Sequence, residues 1–304
     1  MAAVEGLTKI PELRRRILFT ISLLAVYRIG CHIPVPGINT ETLQQFFQSN
    51  ASTLFGMLNM FSGRALENAS IFALGIMPYI SASIIFQLLT VVWPYLNSLS
   101  KEGEMGRRKI NQYARYATVV LSLFQGYGIA SALLHAGDGP GQGFVIAGTT
   151  SFTLIAVITL SAGTSFIMWL GEQITERGIG NGSSLIIFSG IAAGIPTGFR
   201  QTIQMMKDGQ ISPLLLVVLG LLMIAVIGTI IFLEQGQRRI PIQYAKRQVG
   251  RRLYGGQSTH LPLKINTSGV IPPIFASSLL MAPLTVITFL PPNPVSNAIR
   301  DAIN

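Results

Sequence analysis

Between Pro213 and Leu233 the chain reads PLLLVVLGLLMIAVIGTIIFL, without a single charged or amide side chain. An apolar run of about 20 residues is what a helix needs to cross the hydrocarbon core of a bilayer. The same criterion marks Ile17–Ile33, Ile71–Leu96, Ala117–Leu134, Ser151–Gly171, Ser183–Phe199 and Gly269–Leu290, so seven spans are predicted in all. Charged residues are only 11% of the chain and hydrophobic ones 49%, against about 25% charged in a soluble domain. The chain therefore reads as an all-α polytopic membrane protein. Arg14 to Arg16 followed by ILFTISLLAVY has the outline of a signal peptide. No small-x-small cleavage site follows, however, and the segment is read as a retained first span.

Basic residues predict the orientation. Most of the 22 Lys and Arg fall near the N-terminus, in KEGEMGRRKINQYAR, at Arg177 and in the loop after Leu233. All of these lie on one side of a seven-span arrangement, which places the N-terminus and the large basic loop in the cytoplasm. The net charge of +10 is thus mostly a loop property, suited to topology and to anionic lipid. That loop, about residues 234–265, also interleaves Arg and Lys with Tyr244 and Tyr254. Docking of an acidic protein or of RNA is an equal reading.

Catalytic signals are lacking. Cys31 is the single cysteine and the three histidines are far apart, so no cysteine framework or His-rich metal centre is expected. No predicted span holds Asp, Glu or Lys at mid-membrane depth, which weighs against ion-coupled transport and proton pumping. GIGNGSS (Gly178–Ser184) lacks the Lys-Ser/Thr of a phosphate loop and reads as a turn that starts a helix.

Two segments share a pattern. GIMPYISASIIF (Gly75–Phe86) and GVIPPIFASSLL (Gly269–Leu280) agree at Gly, Pro, Ile, Ala and Ser. They lie in spans of opposite direction, as an inverted repeat would, although chance agreement in apolar text gives the same score. Pro78 is expected to bend its span, and Ser81 to Ser83 to permit close helix contact. Ile76, Ile80, Ile187 and Ile274 would form a dry neck if they face a pore. Ordinary core packing uses the same residues.

Longer blocks carry a specific likeness. SIFALGIMPYISASIIFQLLTVV, KEGEMGRRKINQYARY, MWLGEQITERGIGNG and YAKRQVGRR with GGQSTHLPLKINTSGVIPPIFASS closely resemble the bacterial SecY family, the channel-forming subunit of the Sec protein translocase. The likeness runs from about Leu13 to Leu290. It implies ten spans in two inverted halves, of which about seven are present here: an N-terminal half over 1–200 and an incomplete C-terminal half over 201–304. PPNPVSNAIRDAIN, at the end, reads as an outer loop cut short.

By that resemblance, Met57–Glu67 is a plug, a short half-helix blocking the closed pore, with Asn59, Met60, Phe61, Ser62, Gly63 and Arg64 at its centre. The pore ring takes Ile76, Ile80, Ser183, Ile187 and Ile274; Ser183 stands where many relatives carry an aliphatic residue. Ser81, Gln87 and Ala282 match the lateral gate. Lys246, Arg247, Arg251 and Arg252 match the surface that meets SecA or the ribosome. The implied function is passage of unfolded, signal-bearing polypeptides across the bacterial plasma membrane and release of transmembrane segments into it. The implied partners are SecE, SecG, SecA, the ribosome and anionic lipids, with no cofactor and no enzymatic activity. A small-solute secondary transporter and a non-conducting membrane scaffold are the alternatives.

Overall fold

The computed structural model describes residues 11–49, 59, 62–136, 145, 149–209, 212–242, 247–249, 252–254 and 259–264. Eight helices follow one another among them: α1 Pro11–Gly30, α2 Thr40–Ser49, α3 Met77–Val92, α4 Pro94–Lys101, α5 Glu104–Ala136, α6 Thr149–Arg177, α7 Gly182–Lys207 and α8 Pro213–Gln235. By internal contacts the chain divides into two compact units, Met1–Gly198 with Ser278–Asn304, and Phe199–Ser277.

Helices α6, α7 and α8 are long and apolar enough to cross a membrane. Helices α3 and α4 make a fourth span if the pair counts as one, but they meet at a bend of 98°. The expected single span Ile71–Leu96 is therefore corrected. Residues 71–76 run in turns, α3 starts only at Met77, and α4 leaves in a new direction at Pro94. The break has a local cause. A residue before proline is driven out of the helical region, and Trp93 sits at φ −95°, ψ 116°, its N–H still closing α3 on the Leu89 carbonyl at 2.8 Å. The kink expected at Pro78 is also absent. Pro78 occupies the first turn of α3, where a missing N–H has no helical partner to lose.

The span Ile17–Ile33 begins within α1 and outruns it by three residues, while Ala117–Leu134 lies wholly within α5. Helix α1 takes in Arg14 to Arg16 and ends at Gly30; α5 reaches back through the basic stretch to Glu104. The span Gly269–Leu290 lies outside the described residues.

In the first unit, α6 is the central element. Leu160, Gly163, Ile167, Leu170 and Ile174 are buried on it at helical spacing. Ile167, Leu170 and Ile174 join Tyr27, Cys31, Ala65, Phe72, Ile76 and Ile186 in one core cluster. Leu160, Phe152 and Ala156 join Val35, Ala73, Leu74 and Ala130 in another. Arg115 of α5 donates to the Glu172 carboxylate of α6 at 2.6 Å, pairing the charges that a membrane helix has to neutralise.

The second unit carries α8, capped by the Ser212 hydroxyl, which accepts the Leu215 N–H at 3.3 Å. It also holds the short strands of a chain that is otherwise helical among the described residues. The basic loop forms two nested antiparallel pairs, β1 Gln237–Ile242 with β4 Thr259–Lys264, and β2 Arg247–Val249 with β3 Arg252–Tyr254. Helices remain the only elements of membrane-crossing length among the described residues.

Candidate plug and constriction

Of the expected half-helix Met57–Glu67, the described residues are Asn59, which is helical, and 62–67, which run in turns. Residues 62–76 run in successive turns, with backbone bonds of mixed length: Ala65 N–H to Ser62, Asn68 N–H to Arg64, and Ser70 N–H to Ala65. The reason lies in the backbone. Gly63 (φ 68°), Arg64 (φ 66°) and Ala69 (φ 42°) all adopt left-handed conformations, which no α-helix accommodates. Two of these are not glycine and are strained.

Polar residues of the segment bond to one another. The Asn59 amide donates to the Glu67 carboxylate at 3.0 Å, and its oxygen accepts the Glu67 N–H at 3.0 Å. Asn59 also accepts, through its carbonyl, the Arg64 N–H at 2.8 Å and the Ser62 hydroxyl at 3.0 Å. Four bonds converge on one asparagine and close the loop. Asn59, Ser62 and Gly63 are buried, Arg64 half-buried.

Two sets of contacts fix this segment to its surroundings. At its far side Val35 N–H bonds to Ala69 O at 2.9 Å and Ile71 N–H to Ile33 O at 3.0 Å. The Asn68 amide donates to the Cys31 carbonyl at 3.4 Å and accepts from Gln44 of α2 at 3.0 Å. At its near side the last turns of α1 reach it. The Tyr27 hydroxyl donates to the Ser62 carbonyl at 3.3 Å, and the Arg28 guanidinium to the Gly63 carbonyl at 3.1 Å. Gly63 then abuts Gly190 of α7 so closely that a Cβ on Gly63 would lie 2.8 Å from the Gly190 Cα.

Three of the five residues expected to form the constriction pack into one cluster beside this segment. Ile76 belongs to the cluster that contains Ala65, and Ile80 and Ile187 pack against it, both half-buried. Ser183 is half-buried in the first turn of α7, its N–H capped by the Asn181 side chain at 3.0 Å. Ser81 is half-buried and Gln87 exposed on α3. Arg247 and Arg252 lie on the β2–β3 pair, at positions offset by two from a direct partnership, with Val249 opposite Arg252. Met60, Phe61, Ile274, Ala282, Lys246 and Arg251 lie outside the described residues.

The sequence analysis missed Tyr27 and Arg28. A signal was present: Arg28 is a cation at the end of a span opposite the basic side, where the orientation rule gives it no reason to be.

Residues 70–303 match the SecY family model. The chain belongs to the SecY family. It is 56% identical to the protein translocase subunit SecY of Buchnera aphidicola subsp. Acyrthosiphon kondoi over 276 residues, 90% of this chain and 77% of that protein. Against SecY of Escherichia coli K12 the identity is again 56%, but the chain spans only 62% of that relative's length. Among solved structures, one of a protein-conducting channel superposes with a TM-score of 0.61 at 19% identity, covering 94% of this chain and 62% of that one. Another, of a SecY whose plug domain is described as stabilising the closed channel and maintaining a membrane seal, has a TM-score of 0.58 and 19% identity. The shared SecY fold is that of a multi-pass, predominantly helical membrane protein.

Proposed function

We propose that this chain forms the pore-lining part of a passive polypeptide channel in the bacterial plasma membrane, with the segment around residues 59–67 as its plug. The observation that carries this is the seating of a strained, self-bonded loop against α7, beside the cluster that gathers Ile76, Ile80 and Ile187. On leaving its seat the segment keeps the bonds of Asn59 to Glu67 and Arg64 and gives up those donated by Tyr27 and Arg28. A neck of isoleucines fits around a passing chain and resists water and ions when empty. Ser81 and Gln87 of α3, with Ala282, then belong to the side opening through which apolar segments reach lipid.

Residues 1–200 act as the N-terminal half and 201–304 as part of the C-terminal half, with the N-terminus cytoplasmic. The basic loop, including Lys246, Arg247, Arg251 and Arg252, offers docking to SecA or the ribosome, with SecE and SecG as membrane partners. Energy comes from those partners, and the chain itself catalyses nothing.

A photo-crosslinking residue at Ile80 tests this, with a stalled, signal-bearing polypeptide supplied together with SecE and SecA in membranes. Ile155, 41% exposed on α6, is the lipid-side control. A crosslink at Ile80 and none at Ile155 is expected. Crosslinking at neither site, with insertion and SecE association verified, leaves a non-conducting scaffold.

A further inference from the structure

The segment 59–71 is held in two chemically different ways, and the difference assigns a job to α1. Its far side is tied by main-chain bonds to residues 33–35, by the Pro34–Ser70 bridge and by Asn68. Among the described residues its near side has no main-chain tie to α1: its two bonds come from consecutive side chains, Tyr27 and Arg28, and both end on carbonyls, those of Ser62 and Gly63. These donors are firmly aimed. Tyr27 is 1% exposed and stacks on Phe72 with ring centroids 6.0 Å apart, and Phe72 in turn stacks on Phe166 of α6 at 6.0 Å. A side chain on Gly30 would run into the Phe72 ring, so α1 ends at a fixed place against this stack.

Behind the two carbonyls lies Gly190, and nothing there interlocks, because neither Gly63 nor Gly190 has a side chain. Within the same stretch Gly63, Arg64 and Ala69 keep left-handed backbones. Strain at Arg64 and Ala69 persists only while surrounding contacts over-determine it. The near-side bonds measure 3.1 and 3.3 Å, so a displacement of well under an ångström ends them.

We propose that Tyr27 and Arg28 are the release latch of this segment. They hold it by its main chain against α7, and their separation from Ser62 and Gly63 frees Asn59 and residues 62–65 to swing about the 66–71 hinge. Because the acceptors are carbonyls, the latch reads the position of the segment and not its side chains. Tyr27 and Arg28 are positioning residues; neither touches the polypeptide in transit. This rests on reading the segment as a plug.

The test uses the complete channel complex in proteoliposomes, with no polypeptide present, and reads permeation of a small neutral solute. Deleting residues 60–65 sets the unplugged level. Tyr27→Phe keeps the stacked ring and removes one donor; a resting leak raised roughly fivefold is expected. Arg28→Gln should raise it roughly tenfold, since a charged donor is lost, and Arg28→Lys should return it most of the way. Gln44→Ala, at the hinge, should leave it within about twofold. If the deletion leaks while Tyr27→Phe and Arg28→Gln stay sealed, the latch is wrong and the plug stands. An equal leak from Gln44→Ala also overturns the latch, because general loosening then suffices. If the deletion itself does not leak, the plug reading fails and the latch with it.

Discussion

Two turns in the first unit bring a glycine into close contact with a neighbouring helix, and they are held in different ways. Between α6 and α7, Gly178–Gly182 is locked from every direction. The Thr20 hydroxyl accepts the Ile179 N–H at 3.2 Å, Thr175 accepts the Gly182 N–H at 2.9 Å, and Asn181 caps the new helix through the Ser183 and Ser184 N–H groups. Gly182 presses on the Gly171 carbonyl with no room for a methyl group. The turn at 62–70 sets its Gly63 against Gly190 of α7, yet its near side hangs on two side-chain donors. The Ile179 and Gly182 N–H groups are answered by threonines of two helices, as befits scaffold. The strained turn at 62–70 is held to α1 by side chains alone among the described residues, as the proposed moving part requires.

That contrast fails if the first turn tolerates change or the second does not. Gly182→Ala is the harshest test: its Cβ has to displace the Gly171 backbone, and overpacking of this kind costs about 3 kcal/mol. A clear fall in the thermal unfolding midpoint in detergent is expected, and an unchanged midpoint would mean that the α6–α7 approach is not rigid. Thr20→Val comes next. It leaves the Ile179 N–H without its partner, at about 1.5 kcal/mol, and should again lower global stability. Asn59→Ala removes the centre of the second turn. About 1 kcal/mol is expected, confined to the segment: faster hydrogen exchange at the Glu67 and Arg64 amides with the unfolding midpoint held. A matching drop in global stability would make that turn scaffold too. Smallest of all is Ser183→Ile, which adds an aliphatic group in the first turn of α7 and should reduce resting solute leak by about twofold.

Much of this was visible in the text of the chain, for identifiable reasons. Helices α6 to α8 carry apolar runs long enough that length alone distinguishes them. Asn181 announces the start of α7 because a cap acts within three residues. What stayed hidden depended on partners or on exact position. Pro78 looks the same in the middle of a span as in its first turn, and only the turns at 71–76 reveal which it is. QRRIPI and THLPLK alternate over only a few residues and each carries a proline, which argues against a strand, so their pairing as β1 and β4 is hard to see without the register. Arg28 was noticeable as a stray cation, but its acceptor lies 35 residues away. The likeness to SecY supplied the plug and ring positions, while the backbone signs at Gly63, Arg64 and Ala69 were legible only in three dimensions.

Cys31 is fully buried in the cluster that also contains Ala65 and Phe72, and its carbonyl carries Asn68. It is also the chain's single thiol. The wild-type protein therefore comes with its own stopwatch: the rate at which a water-borne maleimide finds that sulfur counts how often the seat beside α1 falls open, with no engineered label to disturb the timing.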